Sequence, residues 1–356
     1  MLLVVFGAGA SFDSTPLLRP GTSPDLDLWR PPLANDLFGE RPGFRDVFTS
    51  FPQVVPLATR LGQASPEHPL ERILTALRDE ADEYAERHSQ LAAVRYYLQQ
   101  IIWECERYWL PQHRGATSYV TLLDQIQRWR RGNDAAVMFA TFNYDRLLEY
   151  AASYCISGGQ ELYNNRFTSI DSYTQPPHFP VIKLHGSIDW GYRVDTPLPI
   201  VEESNRHVWQ IAAEVIRRFH TLQLSTEIEK TVERPPQPQG GHAYVPALAI
   251  PLDQKTDFAC PPNHLVFFRD RLASVHHILA IGWRGTEAHF CEMLRANLPS
   301  GVCVRAVSGT EEASEETLSN LRAAGVGGAW EASSLGFADF VVSSDLGSFL
   351  DQALRP

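Results

Sequence analysis

Residues 2–11, Leu2-Leu3-Val4-Val5-Phe6-Gly7-Ala8-Gly9-Ala10-Ser11, decide the fold class. Five consecutive apolar residues without alternation read as a strand buried on both faces, and the small residues after them allow a tight turn into a helix. Five further short apolar runs have the same character: 136–141, 180–184, 278–282, 302–307 and 339–342. Helical stretches lie between them, including 146–155 and 286–297, and this alternation predicts an α/β fold with a Rossmann-like, doubly wound parallel sheet.

The spacing of the runs is uneven. Some 130 residues separate the first two strands, and within them 71–108 reads as one or two long amphipathic helices, so 40–130 is expected to be a helical insertion. A second irregular stretch, 192–257, contains the helix-like 206–224 and the Pro- and Gly-rich 235–241, which predicts a second insertion ending in a mobile loop. The whole of 1–356 is read as one domain carrying these two insertions.

Composition narrows the function. The formal net charge is -11, from 31 Lys and Arg against 42 Asp and Glu, and the basic residues form no stripe, so direct nucleic-acid binding is not expected. The five cysteines, Cys105, Cys155, Cys260, Cys291 and Cys303, stand singly, which gives neither a disulfide framework nor a zinc knuckle and suits a reduced, cytoplasmic setting. The run Leu2 to Phe6 is too short for a signal-peptide core and has no basic flank, and no stretch reaches the roughly 20 apolar residues of a membrane span.

In open parallel sheets ligands bind outside the carboxyl ends of the strands, so the residues after each run carry the information. The first run leads into Gly7-Ala8-Gly9-Ala10-Ser11, where backbone N–H groups could approach a pyrophosphate; a plain strand-to-helix turn is the competing reading. The third glycine of the dehydrogenase fingerprint is missing, and the acidic candidates Asp25 and Asp27 follow a Pro-interrupted loop, both of which count against hydride transfer. The second run ends in Thr141-Phe142-Asn143-Tyr144-Asp145. There Asn143 or Asp145 either caps the next helix or, in the case of Asn143, offers an amide that can hold a ribose hydroxyl and a water together.

The third run ends in Lys183-Leu184-His185-Gly186-Ser187-Ile188-Asp189-Trp190, and His185 fits a general base or a hydrogen-bonded structural residue. His68, His113, His276 and His277 have no matching partner in the pattern and read as structural or surface residues. The fourth run ends in Ile281-Gly282-Trp283-Arg284-Gly285-Thr286-Glu287, a second glycine turn suited to the far side of a dinucleotide, with Trp283 either covering a base or packing on the sheet.

Taken in order, the Gly-Ala-Gly-x-Ser turn, Thr-x-Asn-Tyr-Asp, Lys-Leu-His-Gly-Ser and the late glycine turn resemble the sirtuin-like NAD-consuming enzymes. Pro31-Pro32-Leu33-Ala34-Asn35-Asp36-Leu37 also resembles the early loop of that family's bacterial branch. The resemblance implies an NAD site, with Asn143 and His185 in the places of the family's asparagine and histidine. It assigns Gly7, Ala8, Gly9, Ala10, Ser11, Thr141, Tyr144, Asp145, Gly282, Trp283 and Thr286 to the cofactor.

The paired cysteines of the zinc module in protein deacetylases of this type are missing from the sequence. That turns the expectation toward the zinc-free NAD hydrolases of antiphage defence, which need no metal. A homo-oligomer and a separately encoded partner, such as an ATPase or an Argonaute-like sensor, are expected with it. A non-catalytic NAD or ADP-ribose sensor and an NAD-dependent deacylase are the alternatives.

Overall fold

The computed structural model describes residues 1–15, 21, 24–62, 70–130, 136–158, 165–175, 179–196, 208–231, 242–250 and 258–353. Nine strands run through them: β1 (Leu2–Phe6), β2 (Val137–Thr141), β3 (Val181–Lys183), β4 (Gly186–Val194), β5 (Leu224–Lys230), β6 (Tyr244–Leu248), β7 (His277–Ile281), β8 (Val302–Val307) and β9 (Gly328–Ala332). Six of them form one sheet in the order β3-β2-β1-β7-β8-β9, every pair parallel. Counted within that sheet the order is 3-2-1-4-5-6, so the chain winds outward one way from β1 and then outward the other way from β7. This is the doubly wound Rossmann-like topology, and its switch point falls between β1 and β7.

The chain divides into two compact units. The first comprises Met1–Pro31, Glu106–Leu184 and Cys260–Pro356 and contains the six-stranded sheet; the second comprises Pro32–Cys105 and His185–Ala259. Each unit is therefore assembled from separate stretches of chain, where the sequence suggested one domain with insertions at 40–130 and 192–257.

In the first unit the central strands are apolar and buried along their whole length, as strands covered on both faces must be. Helices Ser118–Arg130, Leu147–Ile156, Pro262–Leu272, Ala288–Asn297 and Glu311–Ala323 belong to this unit. The sequence misplaces the last strand. Residues 339–342 lie in the helix Phe337–Val342, in which Phe337, Ala338, Phe340 and Val341 are buried at helical spacing. The sixth strand is instead β9, Gly-Ala-Trp-Glu-Ala, an exposed edge strand with little β-branched content.

The second unit holds an antiparallel sheet, β5-β4-β6, that the sequence reading did not anticipate. Of the expected helix at 206–224, the helix Val208–Arg218 forms, while Leu224 already begins β5. The stretch 235–241 and His68 lie outside the described residues. The helical stretch 71–108 resolves into the helix Leu70–Asp79, a short turn and the long helix Ala85–Gln112. From that long helix Tyr96 donates its hydroxyl to the Tyr244 carbonyl (2.6 Å), and Gln99 donates its amide to the Ile188 carbonyl (2.7 Å). No helix among the described residues is long and apolar enough to cross a membrane.

Candidate functional site

The carboxyl ends of four strands share one level. Ile281, Phe6, Thr141 and Lys183 are successive register partners across β7, β1, β2 and β3, so the residues that follow them leave the sheet along the same edge. At the switch point the two glycine turns touch backbone to backbone: the Gly9 N–H donates to the Gly282 carbonyl at 3.0 Å. A Cβ on Gly7 would sit 2.5 Å from the Gly282 oxygen, and one on Gly282, whose φ is +58°, would sit 2.1 Å from the Ala10 nitrogen. Packing of one turn on the other thus already demands these glycines, independently of any phosphate. The helix after the first turn, Ala8–Phe12, has only 5 residues.

Trp283 is a packing residue. Its ring stacks on Phe142 (centroids 5.4 Å apart, 15° between planes) and meets the edge of Phe290, its N–H donates to Glu287 (2.5 Å), and it is buried. These contacts are those of the packing alternative that the sequence left open beside a base cover. Thr286 is exposed in the turn before the helix Ala288–Asn297, while Tyr144 is buried. Asp27 binds Arg30 in a salt bridge at 2.6 Å, and Asp25 is exposed in the short helix Pro24–Asp27.

Three of the predicted residues meet directly. The Ser11 hydroxyl donates to Asp145 Oδ2 at 2.7 Å, and the Asn143 side-chain N–H group donates to Ser11 Oγ at 3.0 Å. Asp145 Oδ1 accepts the backbone N–H of Leu147, the first residue of the following helix (3.1 Å), and Thr141 Oγ1 accepts the Asn143 backbone N–H (3.0 Å). Burial pushes the Asp145 pKa above the usual carboxylate range, with Lys183 pulling the other way.

A fourth member, Tyr119, comes from the helix Ser118–Arg130 inside the stretch read as an insertion. Its oxygen lies 3.0 Å from Ser11 Oγ and accepts from Asn143 at 3.1 Å. No local pattern announces it; the only cue is one polar tip on the buried face formed with Leu122, Leu123 and Ile126.

Lys183 and Arg146 anchor the same region. Lys183 Nζ, fully buried, pairs with Glu149 Oε1 at 2.9 Å and donates to the Asp145 backbone carbonyl at 2.5 Å, tying the end of β3 to the loop after β2. Tyr173 donates to the same Glu149 oxygen at 3.1 Å. Arg146 grips Glu106 through Nε (2.9 Å), Nη2 (2.5 Å) and its backbone N–H (2.7 Å).

Asn143 and His185 stand in different units, His185 opening the second stretch of the second unit. His185 is buried, and its carbonyl accepts the Ala249 N–H at 3.0 Å. The next residue, Gly186, has φ +82°, and a Cβ there would fall 1.8 Å from the Ala247 oxygen, so glycine is required. Among the described residues no group of three or more His, Cys, Asp or Glu is placed to hold a metal ion. No family model and no curated protein matches the chain.

Proposed function

We propose that this chain is a sirtuin-like enzyme that binds NAD at the carboxyl edge of the six-stranded sheet and hydrolyses the nicotinamide–ribose bond, giving nicotinamide and ADP-ribose. The observation that carries the reading is the state of Asn143. It is 6% exposed, and its Oδ1 has no partner among the described residues, beside the switch point where parallel sheets of this order take dinucleotides. An unpaired buried acceptor costs about 1–3 kcal/mol, which a ribose hydroxyl donating to it would recover.

In the proposed reaction the C1′–N bond breaks with its electron pair moving to the pyridinium nitrogen, so nicotinamide leaves neutral and the sugar becomes oxocarbenium-like. Water adds to C1′ and gives its proton to His185, directly or through a ribose hydroxyl. Asn143 fixes the ribose and orients that water. The leaving group is already cationic, so the chemistry calls on no metal.

NAD depletion of this kind suits an effector of antiphage defence acting in the cytoplasm as a homo-oligomer, with its trigger sensed by a separately encoded ATPase or Argonaute-like partner. The test is nicotinamide release by purified protein: activity in the wild type, and its loss in Asn143→Ala and in His185→Ala while each variant still melts cooperatively as a folded protein. Full activity in either variant removes that residue from the mechanism.

A second reading is an NAD or ADP-ribose sensor that binds at the same Asn143 acceptor without turnover. Binding measured by calorimetry with no nicotinamide released, with candidate partners present, would select it.

A further inference from the structure

We infer that Tyr119 is a positioning residue for Asn143, an inference that rests on the NAD-hydrolase reading of that site. Hydrogen-bond accounting leads to it. Ser11 has one proton, and Asp145 receives it at 2.7 Å, so Ser11 can only accept from its other neighbours. The nitrogen end of the Asn143 amide must therefore face Ser11, and the carbonyl end must face away.

Tyr119 completes the arrangement. Burial holds its pKa well above 10, so the phenol keeps its proton and donates it to Ser11 Oγ, while its lone pair accepts from Asn143. The three separations of 3.0, 3.0 and 3.1 Å close a nearly equilateral triangle of Asn143 Nδ2, Ser11 Oγ and Tyr119 Oη. Two amide N–H bonds diverge by about 120°, so they cannot both point squarely at two acceptors that lie so close together. The amide is thus held by its nitrogen end with that end only obliquely satisfied, and its Oδ1 is left without a partner.

The phenol itself cannot drift. Tyr119 is 1% exposed, and its ring lies 5.1 Å from Phe6 and 5.3 Å, edge on, from Phe337. The group that Asn143 presents to a ligand is consequently an acceptor, and the ligand group that it selects is a donor, such as a sugar hydroxyl in preference to a phosphate oxygen.

Tyr119→Phe removes one oxygen and keeps the ring packing, so the variant folds with a melting temperature within a few degrees of the wild type. The expected result is a fall of about ten-fold in kcat for nicotinamide release with KM for NAD within two-fold. Ser11→Ala behaves alike, and the double variant loses little more than the worse single, because both act through one amide. The Asn143 side-chain NH₂ signals, assigned by their disappearance in Asn143→Ala, provide a readout that needs no activity: in Tyr119→Phe they shift and exchange faster with water.

An unchanged kcat in Tyr119→Phe, with or without movement of those signals, overturns the positioning role while leaving the hydrolase reading intact. A wild type that releases no nicotinamide removes the hydrolase reading, and the NH₂ signals then decide alone: moved, they support the hold of Tyr119 on Asn143; unmoved, they overturn it.

Discussion

Two polar clusters hang from the one loop that follows β2, and they use their hydrogen-bonding capacity differently. At Arg146 both oxygens of Glu106 are engaged, by the guanidinium and by the Arg146 backbone N–H, on side chains that are 7% and 3% exposed. Three residues earlier, Asn143 is held through Ser11 and Tyr119 but keeps its carbonyl oxygen unused. The Glu106–Arg146 clasp holds the loop, whereas Asn143 leaves one buried acceptor unmatched, which the proposed ribose hydroxyl would fill. A ligand gains little from the first and can satisfy the second.

Breaking the clasp gives the largest expected effect. Glu106→Ala removes both carboxylate oxygens that bind the buried Arg146 and costs about 3–5 kcal/mol in urea-unfolding stability, and Glu106→Leu with Arg146→Met recovers most of that loss. Asn143→Ala, by contrast, removes its own unpaired atom together with two hydrogen bonds and costs about 1 kcal/mol. If the two substitutions destabilise equally, the distinction between the two clusters fails.

Acid sharpens the comparison further. Burial raises the pKa of Glu106 and of Asp145, so the stability linked to these carboxyls is present at low pH and is lost as pH rises through their raised pKa values. His113 and His264 behave in the opposite sense. Burial lowers each from 6.5 to about 4, so their contribution is present above pH 6.5 and is lost as pH falls toward 4. The decline in urea midpoint between pH 6.5 and 4 should therefore be smaller in His113→Gln and in His264→Gln than in the wild type. An identical pH profile would show that neither imidazole is held neutral by the fold.

The smallest effect is expected at the surface pair Arg128–Asp124 (2.6 Å), where Arg128→Ala should change stability by less than about 0.5 kcal/mol. A loss comparable to that in Glu106→Ala would mean that burial is not what distinguishes the clasp.

The parts of the fold that the sequence revealed share one property, burial on both faces. β1, β2 up to Ala140 and β7 from Ile278 onward are apolar runs because water reaches neither side of them. β9 lacks that signature because it lies at the sheet edge, and the buried apolar residues of 337–341 imitate it while folding as a helix. The antiparallel sheet was hidden for a related reason: β5 is half-exposed, and β4 begins inside the Lys-Leu-His-Gly-Ser segment, where glycine and serine suggest a turn.

At the site, Ser11, Asn143 and Asp145 could be singled out because each follows a readable strand. Tyr119 could not, since its hydroxyl meets partners 108 and 24 residues away and nothing in its own helix encodes those contacts. Trp283 shows the converse, a residue that stands at the right edge yet is spent on packing.

In the proposed enzyme the Asn143 amide, aimed by Ser11 and Tyr119, receives the ribose of a dinucleotide at the β1–β7 edge. The most direct test is an experimental structure of the protein soaked with ADP-ribose. The pyrophosphate is expected beside the Gly7–Ser11 and Gly282 turns, with a ribose hydroxyl within about 3 Å of Asn143 Oδ1. ADP-ribose bound elsewhere, or an Asn143 carbonyl still without a partner while the ligand is present, would contradict it.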